Sequence, residues 1–250
     1  MVHGWGMNHS IWQPLQNKLP DWVDCRAVDL PGHGLRAGES FVDLHSLCQD
    51  LLAQCRAFKK EGQPLVLVGW SLGALPCLQL AIDQLAQIDG LLLVSSSPCF
   101  VSRPGWSAGV EEAIFDQFSE SLKSDFSGTI RRFLSLQVKG SESARGILRS
   151  LREKVLQQPK PNQVSLDAGL EILKRVDLST QLQKINAPVS WALGAQDGLV
   201  KITLADELKT LMPLADVRQY SKAAHAVFLS HTDAFAQQLI KFLIMVSNER

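Results

Sequence analysis

The stretch Leu65-Val66-Leu67-Val68-Gly69-Trp70-Ser71-Leu72-Gly73 constrains this chain more than any other. An apolar run of strand length leads into G-x-S-x-G and then into a helical pattern carrying Leu75, Leu78, Leu80 and Ala81. Such a segment predicts a sharp strand-to-helix turn with a strained serine at its apex. Glycines two residues to either side let strand, turn and helix approach closely. A serine that merely caps the helix is the plainer alternative, because Ser is common at such junctions. The buried strand before Ser71 and the helix after it favour a nucleophile.

Further short apolar runs bounded by turn residues occur at Arg26 to Leu30, Gly90 to Ser95, Pro188 to Gly194 and Asp216 to Tyr220. Helical periodicity covers Asp43 to Lys59, Leu72 to Gln87, Lys201 to Met212 and Thr232 to Val246. The alternation predicts an α/β fold, a mostly parallel sheet with helices on both faces. From about 100 to 182 the strand pattern stops and only helical periodicity remains, which predicts a helical cap inserted between a core of 1–99 and one of 183–250. With 250 residues, one domain with an insertion is the default.

Lys plus Arg and Asp plus Glu both number 25, so no net field draws the molecule to nucleic acid or an acidic membrane. No run approaches the roughly 18 apolar residues of a membrane span. Five cysteines without framework spacing, and a start without a secretory pattern, predict a reduced, cytoplasmic setting. There is no C-x-x-C pair or H-E-x-x-H helix, so neither a metal nor another cofactor is implied.

A serine hydroxyl is a weak nucleophile and needs a base, and that base needs an orienting acid. Asp197, in Gly194-Ala195-Gln196-Asp197-Gly198, follows an apolar run as an acid at a strand end should; its bland reading is a turn Asp before Gly. Asp177 is the rival, but it sits in the insertion. His225 lies in Lys222-Ala223-Ala224-His225-Ala226, between the last strand and the last helix, among small neighbours. His231 competes, although its place before Thr232-Asp233 suits capping or packing. His33 and His45 read as ordinary packed or surface histidines. The oxyanion of an acyl-transfer intermediate would be met by the backbone N–H of Leu72 and of Trp5, in His3-Gly4-Trp5-Gly6.

Taken with Asp29-Leu30-Pro31-Gly32-His33-Gly34, Ser96-Ser97-Pro98-Cys99-Phe100, Arg132-Phe133-Leu134-Ser135-Leu136-Gln137 and Gly169-Leu170-Glu171-Ile172-Leu173-Lys174, these motifs resemble the BioH-type carboxylesterases of biotin synthesis, within the α/β-hydrolase fold. The resemblance implies hydrolysis of the methyl ester of pimeloyl-acyl-carrier protein; a broader short-chain esterase or thioesterase of the same fold, or a non-catalytic binding protein that kept the fold, stays open beside it, and the expectation is a monomer without a cofactor. It implies substrate contacts at Trp5, Ser71, Leu72, Phe133, Leu134, Ser135, Leu136, Gln137 and His225. Arg131, Arg132, Arg145, Arg149 and Arg152 concentrate in one part of a neutral chain, and Arg145 and Arg149 are one helical turn apart. Arg132, Arg145 and Arg149 are therefore candidates for docking an acidic carrier protein; with Glu142 and Glu153 nearby, a solvated helix face is the plain alternative. The family also places an apolar strand before the His-Gly, where this sequence has Met1 and Val2. The expectation is either a start codon set downstream of the true one or a marginally folded product, since each unpaired buried backbone group costs about 1 to 3 kcal/mol.

Overall fold

The computed structural model describes residues 1–141 and 144–248, so Glu142 lies outside the described residues. Four strands, β1 (Val66–Trp70), β2 (Gly90–Val94), β3 (Val189–Gly194) and β4 (Asp216–Tyr220), pair in that order and all in parallel. Leu67 stands opposite Leu91, Leu92 opposite Ser190, and Ala192 opposite Arg218. Strands β2 and β3 are buried along their whole length because helices cover both faces, which is why they read as continuous apolar runs. Strand β4 lies at the sheet edge, half-buried and carrying Asp216 and Arg218, charges that discourage edge-to-edge pairing.

On the free side of β1, Val2 makes parallel bridges to both Gly69 and Val28. The Val2 N–H donates to the Val68 carbonyl at 2.8 Å, its carbonyl accepts from Trp70 at 3.0 Å, and Val28 donates to the Met1 carbonyl at 3.0 Å. The strand expected over Arg26 to Leu30 is reduced to this one bridging residue. A ladder extends only as far as its partner, and the partner here is Val2. Below it a cavity of about 370 Å³ opens between β1 and residues 24–28.

Among the described residues there are ten α-helices, α1 (Gln13–Gln16), α2 (Leu44–Phe58), α3 (Ala74–Ile82), α4 (Glu112–Ser124), α5 (Phe126–Leu136), α6 (Ala144–Leu156), α7 (Gln163–Arg175), α8 (Leu204–Leu211), α9 (Val227–Ser230) and α10 (Thr232–Asn248). Helix α2 starts at a reciprocal cap: the Asp43 carboxylate accepts from the Ser46 N–H and the Ser46 hydroxyl accepts from the Asp43 N–H. Its buried face is Leu47, Cys48, Leu51 and Cys55, at helical spacing. Helices α4 to α7 lie between β2 and β3 in the chain, in the segment expected as a cap, and on either side of them Cys99 and Asp177 form an antiparallel bridge. The core runs from sheet to cap without a break, taking in Leu134 of α5 and Leu166 and Ile172 of α7.

Candidate active site

Strand β1 ends at Trp70, and Ser71 turns the chain with φ of +54° into a short 3-10 turn and then α3. That left-handed conformation costs a non-glycine residue on the order of 1 kcal/mol or more, so packing must enforce it. Packing does: a Cβ at Gly69 would lie 2.5 Å from Ala74 Cα, and one at Gly73 would lie 2.4 Å from the His3 carbonyl oxygen. Only glycine fits at either place, and the serine between them is held out of the strand direction.

Beyond β3, Asp197 sets its Oδ2 2.8 Å from His225 Nδ1. Its Oδ1 accepts the N–H groups of Leu199 at 2.8 Å and Val200 at 3.0 Å, which fixes the carboxylate in place. Both side chains are 1% exposed. The loop carrying His225 is anchored from two sides: the Trp70 indole N–H donates to the His225 carbonyl at 3.0 Å, and the Ala226 N–H donates to the Gln137 carbonyl beyond α5 at 2.9 Å. With the carboxylate at Nδ1, that nitrogen carries the proton and Nε2 presents its lone pair. Nε2 is buried and has no hydrogen-bond partner among the described residues. The hydrogen bond expected between Ser71 and His225 is therefore not formed in this arrangement. Rotation about the Ser71 Cα–Cβ bond is what moves its Oγ, and hydrogen bonds of this kind are commonly long without substrate and tighten when it binds. The imidazole does sit against the elbow, its centroid 5.6 Å from the ring of Trp70, the residue before Ser71.

The rival residues are engaged elsewhere. His231 Nδ1 pairs with the Ser230 hydroxyl at 2.9 Å and its ring lies edge-on to Tyr220. Asp177 accepts from the N–H and hydroxyl of Ser179. His45 is exposed and paired with Gln49.

The loop His3-Gly4-Trp5 runs beside the elbow; a Cβ at Gly4 would lie 3.1 Å from Ser71 Cβ. His3 holds this loop through both ring nitrogens, Nε2 accepting from the Leu30 N–H at 3.0 Å and Nδ1 donating to the Gly4 carbonyl at 2.8 Å. Burial, with His33 close by, pushes the His3 pKa down to about 3, and burial pushes His33 down to about 4. The neutral ring is the one that can accept from Leu30. Trp5 reaches into the cap, where its indole N–H donates to the Leu166 carbonyl at 2.8 Å and its ring meets Phe118 and Phe133 edge-on at 5.3 and 5.1 Å. Leu72 is the second residue of the 3-10 turn, and an N–H so near the start of a helix has no acceptor within it.

Between elbow and cap lies a largely apolar cavity of about 290 Å³, lined by Trp5, Ser71, Phe100, Phe133, Leu136 and Leu170 among others. The contiguous run expected to contact substrate divides here. Phe133 and Leu136 line the cavity, whereas Leu134 is packed into the core, the Ser135 hydroxyl donates to the Arg131 carbonyl, and Gln137 tethers the His225 loop. A helix turns about 100° per residue, so five successive side chains cannot share one wall. Leu72 and His225 likewise lie off that wall. Leu173 of α7, within the Gly169–Lys174 motif, also lines the cavity, as do Phe115 and Phe118 of α4, which no sequence motif singled out. Arg132 is at the cavity rim, donating to Thr129 Oγ1 at 2.8 Å. Arg145 and Arg149 are exposed on α6, and Arg149 pairs with Glu153 at 3.0 Å.

Residues 1–238 match a family model described as the alpha/beta hydrolase family. The chain is 36% identical over 243 residues to the pimeloyl-[acyl-carrier protein] methyl ester esterase of Aliivibrio salmonicida, covering 97% of this chain and 90% of that one. It is 39% identical over 240 residues to the protein of the same description from Salmonella enteritidis, covering 96% and 91%. Among solved structures, an esterase from Exiguobacterium antarcticum superposes with a TM-score of 0.84 at 18% identity, covering 97% of this chain and 90% of that one, a likeness of fold.

Proposed function

The chain belongs to the alpha/beta hydrolase family, and from that premise we propose that it is a serine carboxylesterase acting on the methyl ester of pimeloyl-[acyl-carrier protein] in biotin synthesis. The observation that carries this reading is the buried Asp197–His225 pair, its loop held by the indole of Trp70, the residue that precedes the left-handed Ser71. Homology over nearly the whole chain to curated methyl ester esterases supplies the substrate.

In this reading Ser71 Oγ attacks the ester carbonyl carbon while His225 Nε2 takes the hydroxyl proton. Asp197 keeps the ring in the required tautomer and stabilises the imidazolium. The N–H groups of Trp5 and Leu72 receive the oxyanion. Collapse breaks the bond to the methoxy oxygen, which leaves as methanol with the proton from His225. Water, deprotonated by the same nitrogen, then cleaves the acyl-serine, releasing a carboxylate and restoring Ser71. The acyl chain lies in the cavity under the cap, along Phe133 and Leu136, so the methyl end reaches Ser71 and the thioester to the carrier stays outside. Arg132 at the rim, with Arg145 and Arg149 on α6, offers positive charge to an acidic carrier protein. A monomer in the cytoplasm fits five cysteines that form no disulfide. Among the described residues, no helix is long and apolar enough to cross a membrane.

The test pairs chemistry with genetics. A fluorophosphonate probe is expected to label wild type and not Ser71→Ala, and wild type alone is expected to restore growth to a biotin auxotroph lacking the methyl esterase. Rescue by both proteins would reject the mechanism.

A further inference from the structure

Ser71 and Ser95 occupy equivalent places on neighbouring strands. Trp70 pairs with Val94 in the β1–β2 register, and each is followed by a serine with positive φ, +54° at Ser71 and +42° at Ser95. L side chains rarely adopt that region, and a strained residue that persists calls for a reason. At Ser71 the strain presents the hydroxyl. At Ser95 it does nothing for the residue itself: the Ser95 hydroxyl is buried with no hydrogen-bond partner among the described residues, and the N–H simply donates to Ala192 of β3 at 2.8 Å.

What the second turn achieves is to bring the next residue back toward β1. Ser96, wholly buried, donates its hydroxyl to the carbonyl of Ser71 at 2.9 Å. Ser97 takes no part, since its hydroxyl is committed to Cys99, donating to the carbonyl at 2.6 Å and accepting the N–H at 3.2 Å. The Ser71 carbonyl is a special acceptor. It and the Leu72 N–H are the two ends of one planar peptide unit and point in opposite directions, so fixing one end aims the other. The same carbonyl also accepts from the Ala74 N–H within the 3-10 turn. Two donors define the peptide plane better than one, and each polarises the unit so that its N–H becomes a stronger donor.

We propose that Ser96 is a positioning residue, whose hydroxyl holds the Ser71 carbonyl and thereby directs the Leu72 N–H at the oxyanion. This rests on the esterase reading above, in which that N–H stabilises the intermediate.

The experiment compares wild type, Ser96→Ala and Ser96→Thr on p-nitrophenyl butyrate, with inhibition by a trifluoromethyl ketone that forms an anionic tetrahedral adduct on the nucleophile. Losing an oxyanion donor outright lowers turnover about 10²- to 10³-fold, and losing only its aim is expected to lower kcat about tenfold in Ser96→Ala. KM should stay within about twofold, and affinity for the ketone should fall by the same factor as kcat/KM. Ser96→Thr, which keeps the hydroxyl, should recover to within about threefold of wild type. A general loosening of the fold would instead raise KM and break the match between ketone affinity and kcat/KM. Ser96→Ala with kcat within about twofold of wild type, or with kcat lowered and ketone affinity unchanged, overturns the proposal. Should Ser96→Ala fail to fold, Ser96→Cys, which retains only a weaker donor, is expected to lower kcat by a factor between those of the Thr and Ala variants with ketone affinity falling to match, and an unchanged kcat in it overturns the proposal. Wild type that neither hydrolyses the ester nor reacts with a fluorophosphonate would overturn the esterase reading itself, and this proposal with it.

Discussion

Acidification should destabilise this protein through two histidines that its fold keeps neutral. His3 and His33 are fully buried, their rings 5.2 Å apart, with their pKa values pushed down to about 3 and about 4 chiefly by burial. Asp29 pulls both values upward, and His9, itself 2.8 Å from Asp29, works against it at His3. In the unfolded chain both imidazoles return to about 6.5. Because the folded values lie below the unfolded ones, the unfolded state binds more protons between about pH 6.5 and pH 4, and stability falls as pH falls through that window. Between pH 7.5 and pH 5.0 each site removes about 2 kcal/mol, or about 4 kcal/mol together, a large share of the 5 to 15 kcal/mol that folded domains possess. Near pH 5.5 the slope should approach roughly 2 kcal/mol per pH unit. Urea titrations at a series of pH values would measure it, with His33→Gln included to remove one site. That variant should show about half the dependence. A stability that changes by less than about 1 kcal/mol over this range, or a His33→Gln slope equal to that of wild type, would refute the reasoning.

Two further outcomes follow from the site. Asp197→Asn keeps the shape but can favour the wrong imidazole tautomer, so kcat on a soluble ester should fall about 10³- to 10⁴-fold with KM nearly unchanged, measured by steady-state kinetics. Reversing Arg145 and Arg149 to Glu should lower kcat/KM on the carrier-bound ester about tenfold or more and spare p-nitrophenyl butyrate; equal losses on both substrates would remove the docking role. The exposed Arg149–Glu153 pair contributes little to stability, so the melting temperature should hardly move.

Much of this was legible in the sequence because it is local. The elbow at Ser71 is written in nine consecutive residues, and β2 and β3 announce themselves as apolar runs whose neighbours do not matter. Arg26 to Leu30 carries a similar run yet forms only a bridge, since a strand is a property of two segments and Val2 is the one that meets it. Phe133 to Gln137 could be placed on a helix but not divided into cavity-facing and buried positions, because that depends on how α5 sits over the sheet. His33 read as an ordinary histidine, and its partnership with His3 joins positions 30 residues apart in sequence. Ser96 stands in the Ser96-Ser97-Pro98-Cys99-Phe100 motif without a role of its own there, because its target lies 25 positions earlier.

The indole of Trp5 deserves a last consequence. Its backbone lies beside the nucleophile, while its ring is gripped by Leu166, Phe118 and Phe133, all parts of the roof over the cavity. Floor and roof therefore share one pivot. A guest bulky enough to pry α4 and α5 upward would also drag the loop beside Ser71; if that loop holds the oxyanion as proposed, the shape of what is admitted and the rate at which it is cut answer to the same side chain.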